Sequence, residues 1–307
     1  MARASSSPAP SGVVLPLAAT VGAMVAFQVG AAFAKGLFPA VGPQGAATLR
    51  LLLGAVMLAG VTRPWRGWPR GRSLWPLLGL GVATAGAVQF FYLALEHLPQ
   101  GVAIALQFLG PLAIAVFGSH RPRDLVWAAL AAAGVWAMVG AGPGGAGGAA
   151  GHIDALGVVF ALGAAASWAA YILFGRAASA AFGNATGAVA IAIAGAILAP
   201  FGLARAGAAL VSPGLIPLAL AVALMSTAVP FSLEFYAMPR LPARTFATFA
   251  SLEPAFGVLS GFMLLHERLG AVQIAGVAAV IAAAAGAAWS SAAAPAAEAG
   301  IADGPPT

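Results

Sequence analysis

The chain has 307 residues, of which 61% are hydrophobic and only 7% are charged, and its mean hydropathy is +0.96. Because about a quarter of the residues of a soluble domain are charged, this composition excludes an ordinary soluble protein and indicates an integral membrane protein. The chain has no Cys, which excludes a disulfide framework, a thiolate metal site and a cysteine nucleophile, and its net charge of +6 must be interpreted from where the basic residues lie.

Apolar runs separated by Pro, Gly and charged clusters divide the chain into segments of about 20 residues, the length that crosses about 30 Å of hydrocarbon as a helix. They predict an all-α polytopic membrane protein with ten transmembrane helices. The predicted spans cover residues 13–35, 44–62, 74–96, 99–118, 124–141, 154–175, 185–204, 213–238, 243–265 and 269–289. We expect a disordered N-terminal tail at 1–12, a Gly-rich linker at 142–153 and a disordered C-terminal tail at 290–307.

The basic residues follow the alternation of the predicted loops. If the N-terminus is inside, the external loops hold only Arg205 and Arg268, and ten basic residues fall in cytoplasmic segments: Arg3, Arg63, Arg66, Arg70, Arg72, Arg121, Arg123, Arg176, Arg240 and Arg244. Because cytoplasmic loops retain positive charge, we predict cytoplasmic N- and C-termini in a bacterial-type inner membrane. Charges spread over five segments form no single basic patch, which argues against a nucleic-acid partner.

The chain shows signs of an internal duplication. A shift of 143 residues aligns residues 98–118 with 241–261, and it matches Pro111 with Pro254 and Gly118 with Gly261. The two predicted halves, 13–141 and 154–289, would each contain five spans. Because five is odd, the halves would insert in opposite orientations, as in transporters built from inverted repeats around a central cavity.

The aligned prolines lie about halfway through spans four and nine. Each removes a backbone donor and loosens the preceding turn, and freed carbonyls at that depth are tolerated only where protein or a water-filled cavity satisfies them. Pro111 and Pro254 therefore predict helix breaks. A plain packing kink is the alternative for Pro111, whereas Glu253 directly before Pro254 favours a site.

Four ionisable residues, Lys35, Arg50, Glu234 and Glu253, lie within or at the ends of predicted spans. A charge near the bilayer centre costs between about 3 and more than 10 kcal/mol, so each needs a reason. In one interpretation they are interhelical ion pairs or interfacial anchors. In the other, the cations hold a substrate carboxylate, and Glu253 or Glu234 meets an ammonium group or carries a coupling proton. A carboxylate kept from water holds its proton until a cationic group arrives.

Further polar and aromatic side chains lie at the depth of the expected cavity. Each one alone is typical of an interhelical contact, and the aromatic ones are more often packing residues, but several of them together favour a binding site. These candidates are Gln28, Gln89, Tyr92, Gln107, Trp168, Tyr171 and Ser251.

Three segments resemble the threonine/homoserine exporter branch of the drug/metabolite transporter superfamily, whose halves are called EamA domains. They are QVGAAFAKGLFPAVGPQGAATLRL (28–51), FLGPLAIAVFGSHRPRD (108–124) and PFSLEFYAMPRLPARTFATFASLEPAFGVLSG (230–261). The third is the most specific, because its Ser-Leu-Glu, Arg-Leu-Pro and Glu-Pro elements come in the family's order and spacing. The resemblance extends over about residues 13–290.

The resemblance implies a ten-helix, inverted-repeat fold whose cavity is lined largely by spans three, four, eight and nine. It also implies proton-driven efflux of small hydrophilic amino acids from the cytoplasm, so the expected partners are an amino acid, protons and the lipid bilayer. The family matches that matter most are Lys35, Arg50, Glu234, Arg244 and Glu253. Neighbouring branches export other metabolites, so an exporter of drugs or aromatic metabolites is the alternative.

Two other classes fit the sequence less well. A membrane enzyme would need a cluster of carboxylates or Ser with a base, but the four His, at 97, 120, 152 and 266, are scattered at span ends. A channel would show rings of charge, and small-residue patterns discriminate little in a chain this rich in Ala and Gly. There is no Walker A pattern for direct ATP use. We therefore expect no enzymatic activity, no metal and no cofactor.

Overall fold

The computed structural model describes residues 11–66, 68–69, 71–118, 124–140, 153–237 and 240–292. In these ranges nine helical segments are long and apolar enough to cross a membrane, and a shorter apolar helix covers Leu125–Val139. The all-α polytopic architecture is thus confirmed. The predicted tails and linker lie mostly outside the described residues.

In the first part of the chain, the described residues form six α-helices. They are α1 (Ser11–Lys35), α2 (Phe38–Thr62), α3 (Trp75–His97), α4 (Gln100–Gln107), α5 (Leu109–Phe117) and α6 (Leu125–Gly140). The largest departure from the predicted bounds in this part of the chain is at α2, which begins six residues before the predicted span. Gly42, with φ +67°, kinks this helix directly before Pro43, so the straight part of α2 begins near the predicted residue 44.

The described residues of the second part form seven α-helices. They are α7 (Ala155–Phe182), α8 (Ala185–Ala206), α9 (Ile216–Ala223), α10 (Val229–Ala237), α11 (Ala243–Ala250), α12 (Glu253–Leu265) and α13 (Ala271–Ala292). α7 continues past the predicted end at 175, because Arg176 is followed by helix-forming Ala residues up to Gly183. That glycine has φ +52° and ends the helix.

Three spans are irregular within their length. Span four breaks at Phe108 between α4 and α5, and span nine breaks at Ser251 and Leu252 between α11 and α12. The two breaks fall at positions related by the shift of 143 residues, each three residues before the aligned proline. In span eight, a π-helical turn covers Leu224–Ala228 between α9 and α10. Such turns widen the backbone ladder and often mark functional sites.

The helices pack mainly in pairs that are distant in sequence. α3 lies against α7, α2 against α8, α6 against α13, α4 against α12 and α1 against α10. Small residues allow these close approaches. At the α6/α13 contact, a Cβ added to Gly276 would lie 2.6 Å from the carbonyl oxygen of Gly134.

We expect the Gly276→Ala substitution to destabilise the protein. The nearest backbone atom cannot move aside, and overpacking typically costs about 1–3 kcal/mol, so the midpoint of thermal unfolding in detergent should fall. Gly60→Ala is the matched control, because a Cβ at this helical glycine meets no atom within 4 Å and Ala favours the helix. A midpoint for Gly276→Ala at or above that of the control would contradict the tight contact.

Candidate functional site

The break in span nine places Glu253 at the start of a helix. Glu253 is the first residue of α12 and Pro254 follows it in the first turn. Proline is well tolerated there because its missing N–H has no intrahelical partner in any case. A carboxylate in the first turn is also favoured by the helix dipole. The Glu-Pro sequence therefore starts a new helix in the middle of the span and presents an acidic group at its N-terminus.

Polar and charged side chains from four other helices interact with or near Glu253. Its Oε1 accepts a hydrogen bond of 3.0 Å from Nε2 of Gln28, on α1. The Arg50 guanidinium, on α2, and the Glu234 carboxylate, on α10, are close enough to interact with Glu253 electrostatically. Glu234 interacts in the same way with Tyr171, on α7. The structure thus brings together five of the residues that the sequence selected.

Arg50 is held by the π-helical turn of span eight. Its Nη2 donates a hydrogen bond of 2.9 Å to the carbonyl oxygen of Ser226. Its guanidinium lies 5.6 Å from the centre of the Tyr92 ring, and Tyr92 is fully buried. Among the described residues, Nε of Arg50 and the Tyr92 hydroxyl have no hydrogen-bond partner. Two buried donors are therefore free to bind an anion, such as a carboxylate.

The remaining predicted site residues differ in their surroundings. Oε1 of Gln89 is buried and has no hydrogen-bond partner in the described part of the chain. Gln107 is buried at the end of α4, and Trp168 packs edge-on against Phe108 at the helix break, with 5.0 Å between ring centres. Ser251 donates to the backbone oxygen of Thr248 at 2.7 Å, so its hydroxyl is used locally. The Arg244 side chain lies outside the described part of the structure.

Lys35 is engaged elsewhere. Its Nζ forms an ion pair of 2.7 Å with Oε1 of Glu267, in the loop between α12 and α13. Lys35 lies seven residues beyond Gln28 on α1, or roughly 10 Å along the helix axis. The structure therefore places Lys35 in an ion pair at one end of the bundle, and its predicted role in substrate binding stays a prediction.

Sequence reasoning missed two polar residues near this contact. Gln100 is fully buried at the start of α4, and Glu267 is in a loop that was interpreted only as a span boundary. The available signal for Gln100 was an amide directly after Leu-Pro at the start of an apolar span. Nothing in the sequence pairs Glu267 with Lys35, because 232 residues separate them.

Comparisons with known proteins agree with this architecture. Residues 155–289 match the model of the EamA-like transporter family. The threonine/homoserine exporter RhtA of Escherichia coli strain K12 is 45% identical over 271 residues, which cover 88% of this chain and 90% of that protein. The protein of the same name from Salmonella typhimurium strain LT2 is 44% identical over the same shares.

A more distant relative is the uncharacterized transporter YwfM of Bacillus subtilis strain 168, which is 28% identical over 66% of this chain and 70% of its own length. A solved crystal structure with 21% sequence identity superposes with a TM-score of 0.60, covering 87% of this chain and 95% of that chain. At that identity the superposition shows a shared fold.

Proposed function

Because this chain belongs to the EamA-like transporter family, in its threonine/homoserine exporter branch, we propose that it is a secondary exporter of small hydrophilic amino acids such as threonine and homoserine. The observation that carries the proposal is the 45% identity to a threonine/homoserine exporter over 88% of the chain. The residues around Glu253 supply a matching site.

The site has opposite charges suited to a zwitterion. The free donors of Arg50 and Tyr92 would bind the substrate carboxylate, since charge-assisted hydrogen bonds are the strongest kind. Glu253, with Glu234 nearby, would bind the ammonium group. Gln89 and Gln107 offer amides for a side-chain hydroxyl, while Trp168, Tyr171 and Ser251 would complete the walls.

Transport would proceed by alternating access between two inverted halves, 13–141 and 154–289. The aligned breaks at Phe108 and Ser251 support this arrangement, because discontinuous helices surround the substrate in such transporters. Efflux would be driven by proton antiport. Glu253 would release its proton when the ammonium group arrives and take one up after the substrate leaves, with Glu234 as the second proton-binding carboxylate.

The orientation follows from the basic residues. The bias of ten cytoplasmic to two external residues supports cytoplasmic termini in the inner membrane. The end of the bundle that holds Lys35 and Glu267 would then face the outside, and Arg244, at the start of span nine, would lie at the cytoplasmic entrance.

Efflux from preloaded proteoliposomes tests this proposal. We expect saturable efflux of threonine and homoserine that accelerates when a proton gradient is imposed. Efflux without saturation would indicate a channel. If aromatic metabolites compete and threonine does not, the chain belongs functionally with exporters of other metabolites. Folded protein without flux of either substrate class would overturn the assignment.

A further inference from the structure

One carboxylate links three elements at the end of the bundle that holds Lys35. Oε1 of Glu267 pairs with Nζ of Lys35 at 2.7 Å, and Oε2 accepts a hydrogen bond of 2.7 Å from the backbone N–H of Gln100. Gln100 begins α4, so its N–H has no partner within its own helix. Glu267 therefore joins the end of α1 and the start of α4 to the loop that follows α12.

The side chain of Gln100 continues this connection inward. Its Nε2 lies 2.7 Å from the backbone oxygen of Gln28, 2.9 Å from Oε1 of Gln28 and 2.9 Å from Oγ of Ser260. Two of these neighbours are carbonyl oxygens, which accept hydrogen bonds and cannot donate them. The amide of Gln100 can therefore take only one orientation, and this fixes α4 against α1 and α12.

Gln28 connects this network to the candidate site. Its Oε1 accepts from Gln100, while its Nε2 donates to Oε1 of Glu253 at 3.0 Å. An unbroken run of polar contacts thus leads from Lys35 through Glu267, Gln100 and Gln28 to Glu253. Lys35, Gln28 and Gln100 belong to the first half of the chain, and Glu253 and Glu267 belong to the second.

We propose that Lys35, Glu267, Gln100 and Gln28 form a latch that closes the external end of the transport path and senses whether Glu253 is occupied. This inference rests on the proposed function. To open that end, α12 and its loop must part from α1 and α4, which breaks the contacts of Glu267 and Gln100. When a substrate ammonium group displaces the Gln28 amide from Oε1 of Glu253, that amide turns and withdraws its own Oε1 from Gln100.

The latch is built from contacts that can break during a transport cycle. The side chains of Lys35 and Glu267 are 23% and 16% exposed to solvent, and ion pairs that water reaches are weak. Gln100, by contrast, is fully buried, so its hydrogen bonds depend on its partners staying in place. Withdrawal of Oε1 of Gln28 leaves Gln100 with the backbone oxygen of Gln28 and Oγ of Ser260, so it loosens the contact of α4 with α1.

Because the chain has no Cys, a Thr248→Cys substitution introduces a single thiol. Its labelling rate from outside reports whether the external end of the transport path is closed. Thr248 is half-buried and lies five residues before Glu253 on span nine, across the helix break and on the far side of Glu253 from the latch. A membrane-impermeant thiol reagent added to intact cells should label it slowly. We expect Glu267→Gln and Gln28→Leu each to raise the labelling rate about tenfold or more.

Three controls make the result specific. Glu96→Gln removes an exposed carboxylate from the last turn of α3, at the same end of the bundle as the latch. It should leave the labelling rate of the Thr248→Cys thiol unchanged. A separate Arg268→Cys variant places a thiol in the exposed loop beside Glu267 and should label in every background. A membrane-permeant reagent should label the Thr248→Cys thiol equally in all folded variants.

An unchanged labelling rate in either Glu267→Gln or Gln28→Leu overturns the latch, as does an equal rise in Glu96→Gln. The readout needs no substrate. If these variants label faster but the protein does not transport threonine, the latch is supported and the proposed substrate is wrong. If the protein transports threonine but the labelling rates do not change, only the latch is overturned. If the reagent does not label the Arg268→Cys thiol from outside, the proposed orientation is wrong. The latch would then not lie at the external end, and the proposal fails as well.

Discussion

Replacing Glu253 by Gln is expected to reduce proton-driven efflux of threonine by about a hundredfold or more, because it removes the mid-span carboxylate that would carry the proton and bind the ammonium group. The substitution is conservative in shape. A Gln at this position still offers a carbonyl oxygen to Nε2 of Gln28, which now donates to Glu253 at 3.0 Å. It can neither carry a proton nor balance an ammonium charge.

Two assays separate these roles of Glu253. Exchange of labelled for unlabelled threonine at equal concentrations needs substrate binding but no net proton movement. If Glu253 serves only as proton carrier, exchange persists in Glu253→Gln while gradient-driven efflux is lost. If Glu253 also binds the ammonium group, both are lost. Glu96→Gln, at an exposed position, is the control and should retain both. Glu253→Gln with the wild-type rate and gradient dependence would exclude the residue from transport.

The spans were predictable because hydrocarbon thickness and breaker residues fix helix length almost independently of tertiary contacts. The span from Ala185 to Ala206 was expected at 185–204, and α6 at 124–141. The unusual Glu-Pro pair also selected Glu253 as a candidate, since an ionisable group at mid-span is improbable without a partner or a function. Local sequence carries both signals.

The environment of Arg50 was not predictable in the same way. Its acceptor is the backbone oxygen of Ser226, 176 residues away, and a carbonyl in a π-helical turn has no signature in its own side chain. Lys35 shows the same limit. The sequence was compatible with Lys35 in a substrate site or in an ion pair. Only the fold brings it to Glu267, which lies in a loop 232 residues further along the chain.

Arg50 carries the second large prediction. Hydrogen bonds to charged groups contribute about 1.5–3 kcal/mol, which corresponds to a change in Kd of about 10- to 150-fold. We expect Arg50→Met to weaken threonine binding by this amount. Arg50→Lys should also weaken it, because an ammonium group lacks the planar fork that holds Ser226 and a substrate carboxylate together. Arg205→Lys, at an exposed position, is the matched control and should bind normally.

Threonine amide, which lacks the carboxylate charge, distinguishes binding from support of the fold. If Arg50 holds the carboxylate, the wild-type protein prefers threonine over the amide, and Arg50→Met loses that preference because only threonine binding weakens. If Arg50 instead serves to anchor the π-helical turn through the oxygen of Ser226, the substitution distorts the whole site and weakens both ligands equally. The ratio of the two Kd values therefore decides between a substrate ligand and a structural anchor, whatever the absolute loss of affinity.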